Sequence, residues 1–522
     1  MKSRSRSVWL VVIFLGWLLD LLFWKQAPGI NFAIYALACV LAGWALLART
    51  GVSMAGRAGW LLPLIAMFAV TTFVRDEPLT VFLGVVLTLF LMATLAVSYT
   101  GGRWLEFGLA DYGVRFLRLA WSMISRPFGF RNQAVAEAAA AGSTRSGLWP
   151  VLRGVLLALP VLLVFGVLLG SADLIFQHQL DAAISLLRLE RLPEFIFRLI
   201  YILAAAWALL GVFLHAASQE WTDALLTDRV PVGVRVLGFT ESSIVLAAVA
   251  LLFAAFVLVQ FRYFFGGAQN ISVEGYTFAE YARRGYGELM AVAFLSLLLL
   301  LGLGAITRRE SGTQQRLFST LSIAIVLLVG VMLISAYMRL GLYEMAYGFT
   351  RLRTYVHVSL IWLGALLAAV VVLEVLRRER WFATALLVSS LGFALTVAAM
   401  NVDDFIVRQN VDRAQRGQGL DVAHLASLST DAVPALVQLF LSDTTLPETR
   451  EAIGAALVCG WRAPNVRLVT DWRSFSLSRL LAGKALTAAD GKLDAYRATT
   501  DDWRTTVISP EGHSFDCNGT SD

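Results

Sequence analysis

The chain of 522 residues is 58% hydrophobic and only 15% charged. Soluble domains carry about 25% charged residues, so this shortage of charge, with a mean hydropathy of +0.70, excludes an ordinary soluble enzyme. The formal net charge of +6 comes mostly from Arg. No basic domain accompanies it, so it argues for topology and anionic-lipid contact and against nucleic acid as a partner.

Lys2, Arg4 and Arg6 precede an apolar run at 8–24. Trp24-Lys25-Gln26 follows where a cleavage site would need small residues, so the run reads as an uncleaved first span and not as a removed leader. Further apolar segments lie at 30–48, 59–74, 78–98, 151–170, 195–216, 239–259, 287–306, 318–338, 355–375 and 382–400. Each approaches the roughly 20 residues a helix needs to cross the hydrocarbon core. They are continuous and not alternating, which predicts helices and not a β-barrel. The expected fold is all-α: a polytopic transmembrane bundle of about 11 spans with a small helical C-terminal soluble domain. The expected parts are N-terminal transmembrane helices at 1–98, an amphipathic cytoplasmic loop at 99–150, the main bundle at 151–400 and an extracytoplasmic domain at 401–522.

Orientation follows from Lys and Arg in short loops. With the N-terminus cytoplasmic, Arg49, Arg57, Arg308, Arg309, Arg377, Arg378 and Arg380 lie inside, as does the arginine-rich 99–150 loop. In that loop Trp104, Leu105, Phe107, Val114, Phe116, Leu117 and Trp121 alternate with Arg115 and Arg118, the pattern of a helix lying in the interface. An odd span count then sends the tail outside.

Three charged segments emerge on that outer side, at 276–286, 343–355 and 401–413. Each mixes aromatics, Arg and at least one carboxylate. The candidate outer-face residues are Glu280, Tyr281, Arg283 and Arg284, then Tyr347, Arg351 and Arg353, then Asp403, Asp404, Arg408, Asn410 and Arg413. Arginine on the outside runs against the positive-inside bias, and its planar fork suits phosphate or carboxylate. One reading is therefore a site for an anionic lipid or an acidic glycan. The other is structural: Arg283 and Arg284 pair with Glu280, Arg408 pairs with Asp404 at helical spacing, and the segments dock the tail onto the bundle.

Other polar features are few. Asp20 is the candidate intramembrane polar residue, since a carboxylate in lipid is expensive, and Glu374 lies near another span end. His178, His215, His357, His424 and His513 form no local cluster. No HExxH or CxxC spacing and no phosphate loop occurs, so no metal and no cofactor is expected. Cys459 and Cys517 both lie in the tail, where they either pair, if the compartment is oxidising, or stay as two thiols. The tail reads as helices over 433–440, 445–459 and 474–486, with a disordered last dozen residues.

The runs 279–285 (Ala-Glu-Tyr-Ala-Arg-Arg-Gly) and 347–353 (Tyr-Gly-Phe-Thr-Arg-Leu-Arg) come in this order. Asn401-x-Asp403 follows, continuing to Arg408, Asn410 and Arg413, and then Leu420-Asp421 and the run 428–436. Together they resemble a bacterial multi-pass membrane family known only as a domain of unknown function, the 4153/4173 group. The resemblance covers mainly 150–445. It implies an inner-membrane protein and carries no catalytic residue with it.

The leading reading is thus a non-enzymatic envelope protein of the bacterial inner membrane, whose Arg- and Tyr-rich outer face binds a lipid, a glycan or an envelope protein. A lipid-linked glycosyl or phosphoryl transferase is the first alternative. It predicts carboxylates converging around Asp76 and Asp403 to hold a metal. A transporter is the second, and it predicts charge at mid-membrane and internal repeats, neither of which is evident in the sequence.

Overall fold

The computed structural model describes residues 5–140, 192–218, 237–264, 286–461, 471–501 and 504–518, with scattered positions between 154 and 173. Eleven long helices come first: α1 (Ser5–Phe23), α2 (Ile30–Arg49), α3 (Leu61–Val74), α4 (Pro78–Ser98), α5 (Leu109–Ala140), α6 (Leu192–Ala217), α7 (Phe239–Phe264), α8 (Tyr286–Ile306), α9 (Gly312–Tyr347), α10 (Arg351–Val375) and α11 (Phe382–Met400). The tail adds α12 (Val402–Gln415), α13 (Val422–Ala426), α14 (Val433–Leu441), α15 (Pro447–Trp461) and α16 (Leu477–Leu493). It ends in three strands, β1 (Arg497–Asp501), β2 (Arg504–Ile508) and β3 (Ser514–Asp516).

Among the described residues nine helices are long and apolar enough to cross a membrane, and α1 is a shorter apolar helix beside them. Each predicted span in the described residues coincides with a helix; the one at 151–170 lies almost wholly outside them. The helices begin where the sequence satisfies their free amides. Glu77 accepts from the amides of Leu79 and Thr80 with Pro78 at the first helical position of α4, where a missing N–H costs nothing. Ser311 and Gln314 form a reciprocal capping box at the start of α9, the arrangement that satisfies two free donors at once.

Several of the described connections between helices gather at two ends. At one end the Trp104 indole donates to the Arg57 carbonyl (2.9 Å), Arg57 pairs with Glu106 (3.3 Å) and Thr384 donates to the Leu105 carbonyl (2.6 Å). That joins the α2–α3, α4–α5 and α10–α11 connections. From there α5 runs against α6, with Gly211 so close to Met123 that a Cβ would stand 2.4 Å from its Cα. Leu117, Trp121, Ile124 and Phe128 of α5 are exposed.

The tail sits at the other end and is not a hanging domain. Its core of Ile406, Val407, Leu436, Ile453, Ala456 and Leu457 runs without a break onto Val397 of α11 and Val358 of α10. The hinge is Asn401, in the left-handed conformation (φ 53°) between α11 and α12; Asn adopts it more readily than most side chains.

Two expectations need correction. The segment 343–355 is not an outer loop: α9 continues to Tyr347, only Gly348, Phe349 and Thr350 turn, and α10 begins at Arg351. At 1.5 Å per residue, the 36 residues of α9 span about 54 Å, well beyond a hydrocarbon core of about 30 Å. The polar residues at its end therefore ride on helix that projects past the bilayer. The tail is also not wholly helical, and its last dozen residues are not disordered up to Asn518. β1, β2 and β3 form an antiparallel sheet in chain order, in which Thr499 faces Thr506 and Val507 faces Phe515. The β-branched run Thr505-Thr506-Val507-Ile508 favours the pleat.

Candidate functional site

The tail meets the bundle through a polar network. Arg351, the first residue of α10, donates through Nε and Nη2 to the two oxygens of Asp403 (2.8 and 2.6 Å). Asp403 is fully buried in the first turn of α12 and also accepts from the Ser429 amide (2.7 Å). Asp431 of the tail reaches back to the α3–α4 connection, where one of its oxygens accepts from the Asp76 and Glu77 amides (2.7 and 2.9 Å). Burial pushes the Asp431 carboxyl above the usual range, against the pull of those donors. Asp76 accepts from Arg479 of α16 (2.8 Å) and from Thr430 (3.0 Å). Glu77, besides capping α4, accepts from the Tyr355 hydroxyl. Arg75 donates to the Ala398 carbonyl at the end of α11 (2.8 Å).

A further contact is made at the α1–α2 connection. The Ile30 amide donates to the Phe475 carbonyl (3.1 Å) and Arg473 to the Leu21 carbonyl (2.8 Å). A Cβ on Gly29 would stand 2.8 Å from the Phe475 carbonyl oxygen, so only glycine allows this approach. Below it Asp20, 3% exposed, accepts both arms of Arg198 and the Tyr201 hydroxyl. This carboxylate is therefore tied into an α1–α6 pair, with Arg198 also lying over Trp24.

The second part of the site surrounds the α9–α10 turn. Asn410 brackets Phe349, accepting from its amide (2.8 Å) and donating to its carbonyl (2.9 Å). Arg413 donates to the Met345 and Ala346 carbonyls and to Gln418 (3.1, 3.0 and 2.9 Å). Arg353 donates to the Gly348 carbonyl (2.5 Å) and lies over the Tyr343 ring. Gly348 has φ 82°, and a Cβ there would stand 2.7 Å from Arg413 Nη1; glycine is required on both counts. Around these groups is a cavity of about 390 Å³, lined among others by Tyr347, Arg353, Asn410, Arg413, Gln418 and His424. Neither Arg353 nor Arg413 forms an ion pair with a carboxylate among the described residues. Burial and the neighbouring Arg353 together push Arg413 below its ordinary value.

The structure thus brings together Tyr347, Arg351, Arg353, Asp403, Asn410 and Arg413. Asp404 and Arg408 pair with each other (2.8 Å) on the open side of α12, where Arg408 also meets Gln438. Glu280, Tyr281, Arg283 and Arg284 lie outside the described residues. Sequence reasoning did not find Arg75, Tyr355, Asp431 or Arg479, each fixed by a partner more than 250 residues away. Glu77 caps α4, and the same Asp76-Glu77 pair is a socket for the tail.

Asp76 and Asp403 fall in one network, as a metal-dependent transferase would require, but an arginine engages each of them. Among the described residues, metal-ligand spacing is reached elsewhere, by Glu451, Glu511 and His513.

No curated protein and no solved structure matches the chain significantly. The family model for a domain of unknown function, DUF4153, matches residues 62–439, which takes in α3 to α14 and nearly all of the network joining tail to bundle. The chain, a multi-pass membrane protein by its apolar helices, belongs to the DUF4153 family, a domain of unknown function.

Proposed function

We propose that this is a binding protein of the bacterial inner membrane, with its N-terminus cytoplasmic and its tail extracytoplasmic. In this reading the cavity at the α9–α10 turn receives an anionic group, the phosphate of a lipid headgroup or the acid of a glycan. The observation that carries it is the pair Arg353 and Arg413. Both guanidiniums converge on one turn, both use backbone carbonyls or an amide and, among the described residues, no carboxylate as partners, and both line one cavity. Two like charges side by side favour an anion between them, and charge-assisted bonds to it are the strong class. A cavity of about 390 Å³ falls in the range of small-ligand sites. Arg351 is excluded from this role by its engagement with Asp403.

The orientation rests on two supports. The end of the bundle opposite the tail carries Arg49, Arg57, Arg103, Arg308, Arg309, Arg377, Arg378 and Arg380, the positive-inside signature. The tail carries a disulfide between Cys459 and Cys517, a bond kept in oxidising compartments.

Full-length protein in detergent, examined by native mass spectrometry, tests the site. The expected result is retention of phosphatidylglycerol over phosphatidylcholine, or of a uronic-acid oligosaccharide over its neutral counterpart; the two arms identify the source of the anion. Arg353→Gln with Arg413→Gln lowers that binding at least tenfold, since one charge-assisted bond contributes about 1.5–3 kcal/mol. The paired lysine variant keeps part of it. Binding unchanged in the glutamine variant, or no preference for either anion, contradicts the reading.

A further inference from the structure

The β2–β3 hairpin is fastened to α15 at two places, one just past β3 and one at the turn. One is the disulfide from Cys459 to Cys517, with Cα atoms 5.4 Å apart. The other is Glu451, eight residues earlier on α15, or about 12 Å along the helix. Its Oε2 accepts from the Ser509 hydroxyl (2.7 Å) and lies 2.9 Å from His513 Nδ1. The turn is shaped for this. The Ser509 amide donates to the His513 carbonyl (2.9 Å), the His513 amide to the Ser509 hydroxyl (3.1 Å), and Gly512 takes φ 95°. Glu511 and His513 are thereby held on the side of the turn that faces α15.

Glu451 is 7% exposed, and its other oxygen, Oε1, is buried with no hydrogen-bond partner among the described residues. A buried carboxylate oxygen without a donor is costly. One ligand atom from each of Glu451, Glu511 and His513 lies within 4.8 Å of the other two. Glu511 and His513 are exposed, so the cluster pairs one buried carboxylate with two ligand side chains open to water.

We propose that Glu451, Glu511 and His513 form a divalent transition-metal site that takes zinc. One imidazole nitrogen and two carboxylates are the donor set of an open zinc site, with three protein ligands and a fourth position left to water. Hard cations such as Mg²⁺ and Ca²⁺ prefer all-oxygen sites. Tetrahedral bonds of about 2.0–2.1 Å need ligand atoms closer than the present spread, and Glu511, on the exposed glycine-containing turn, is the side chain with room to close in. The metal bonds to the Glu451 carboxylate and clamps the turn to α15, two helical turns from the disulfide. Sixty residues separate Glu451 from Glu511, which takes the group out of reach of any local spacing rule.

The test uses full-length protein in detergent, free of any polyhistidine tag and stripped with a chelator. Zinc is titrated against a chromophoric competitor, and bound metal is counted by elemental mass spectrometry. The expected result is one zinc per chain, with affinity reduced at least tenfold in Glu511→Gln and in His513→Ala and abolished in the double variant. Both side chains are exposed, so the variants keep the fold; unchanged thermal unfolding of the metal-free forms verifies it. Cobalt substitution gives visible absorption in the wild type and none in the double variant. No stoichiometric zinc in the wild type, or zinc retained by the double variant, overturns the proposal.

Discussion

Replacing Arg351 by alanine is expected to release the tail from the bundle and to lower the stability of the tail–bundle contact by about 3–5 kcal/mol, the cost of leaving one charge of a buried pair unmatched. Asp403 is fully buried and takes both of its guanidinium bonds from this one residue. The effect is expected to be larger than that of losing Arg408, whose pair with Asp404 is half open to water and belongs to a class that contributes about 0–1 kcal/mol. Arg351→Lys is expected to fall between, because a single ammonium cannot reproduce the two-point fork. Asp403→Asn in an Arg351→Met background removes both charges and keeps an acceptor for the Ser429 amide, so the double variant is expected to be more stable than Arg351→Met alone. Thermal unfolding in detergent, arranged as a double-mutant cycle, measures this. A coupling of at least about 1.5 kcal/mol is expected; additive losses would show that the pair is not what holds the tail.

The second large effect is expected from Cys459→Ser with Cys517→Ser. The disulfide closes a loop of 58 residues, and in the chain-entropy view a loop of that length stabilises by about 4 kcal/mol, with measured values commonly about 2–4. The loss is local. The sheet is joined to the rest of the tail through α15 and α13, while the latch at Asp403 and Asp431 lies on α12 and the segment before α14. Limited proteolysis of the serine variant is therefore expected to cut first within 497–518 and to leave the bundle and α12 intact. Wild-type protein treated with reductant is expected to follow the variant. A cleavage pattern identical in oxidised and reduced protein would contradict this view.

What the sequence made legible, and what it did not, follows from the range of the interactions. Span positions were legible because continuous apolar runs of about 20 residues have one inexpensive solution in lipid. The Asp404–Arg408 pair was legible because its spacing is local to one helix turn. The three outer segments were chosen for composition alone, and two of them, 343–355 and 401–413, do meet at one turn. Their internal division was not legible. Nothing in the run from Arg351 to Arg353 says that the first is committed to a buried carboxylate and the second to a cavity, because the partners sit on α12. Aromatic and Arg content made 343–355 read as a loop, although helix-compatible residues carry α9 through Tyr347 and one glycine makes the turn. Asp431 carries no local signal for its role, because the two amides it accepts from lie 354 and 355 residues away. Glu451 and His513 failed the local test for the same reason.

The central claim is that the arginine cavity, the latch and the disulfide share an extracytoplasmic face. The most direct measurement is a pair of reporters fused after Asp522, one active only outside the cytoplasm and the other only within it. The account predicts that the external reporter alone is active, as an odd number of crossings and an oxidised Cys459–Cys517 pair require. Activity of the cytoplasmic reporter alone would put the latch and the cavity on the inner side, and the extracytoplasmic anion site would fall with it.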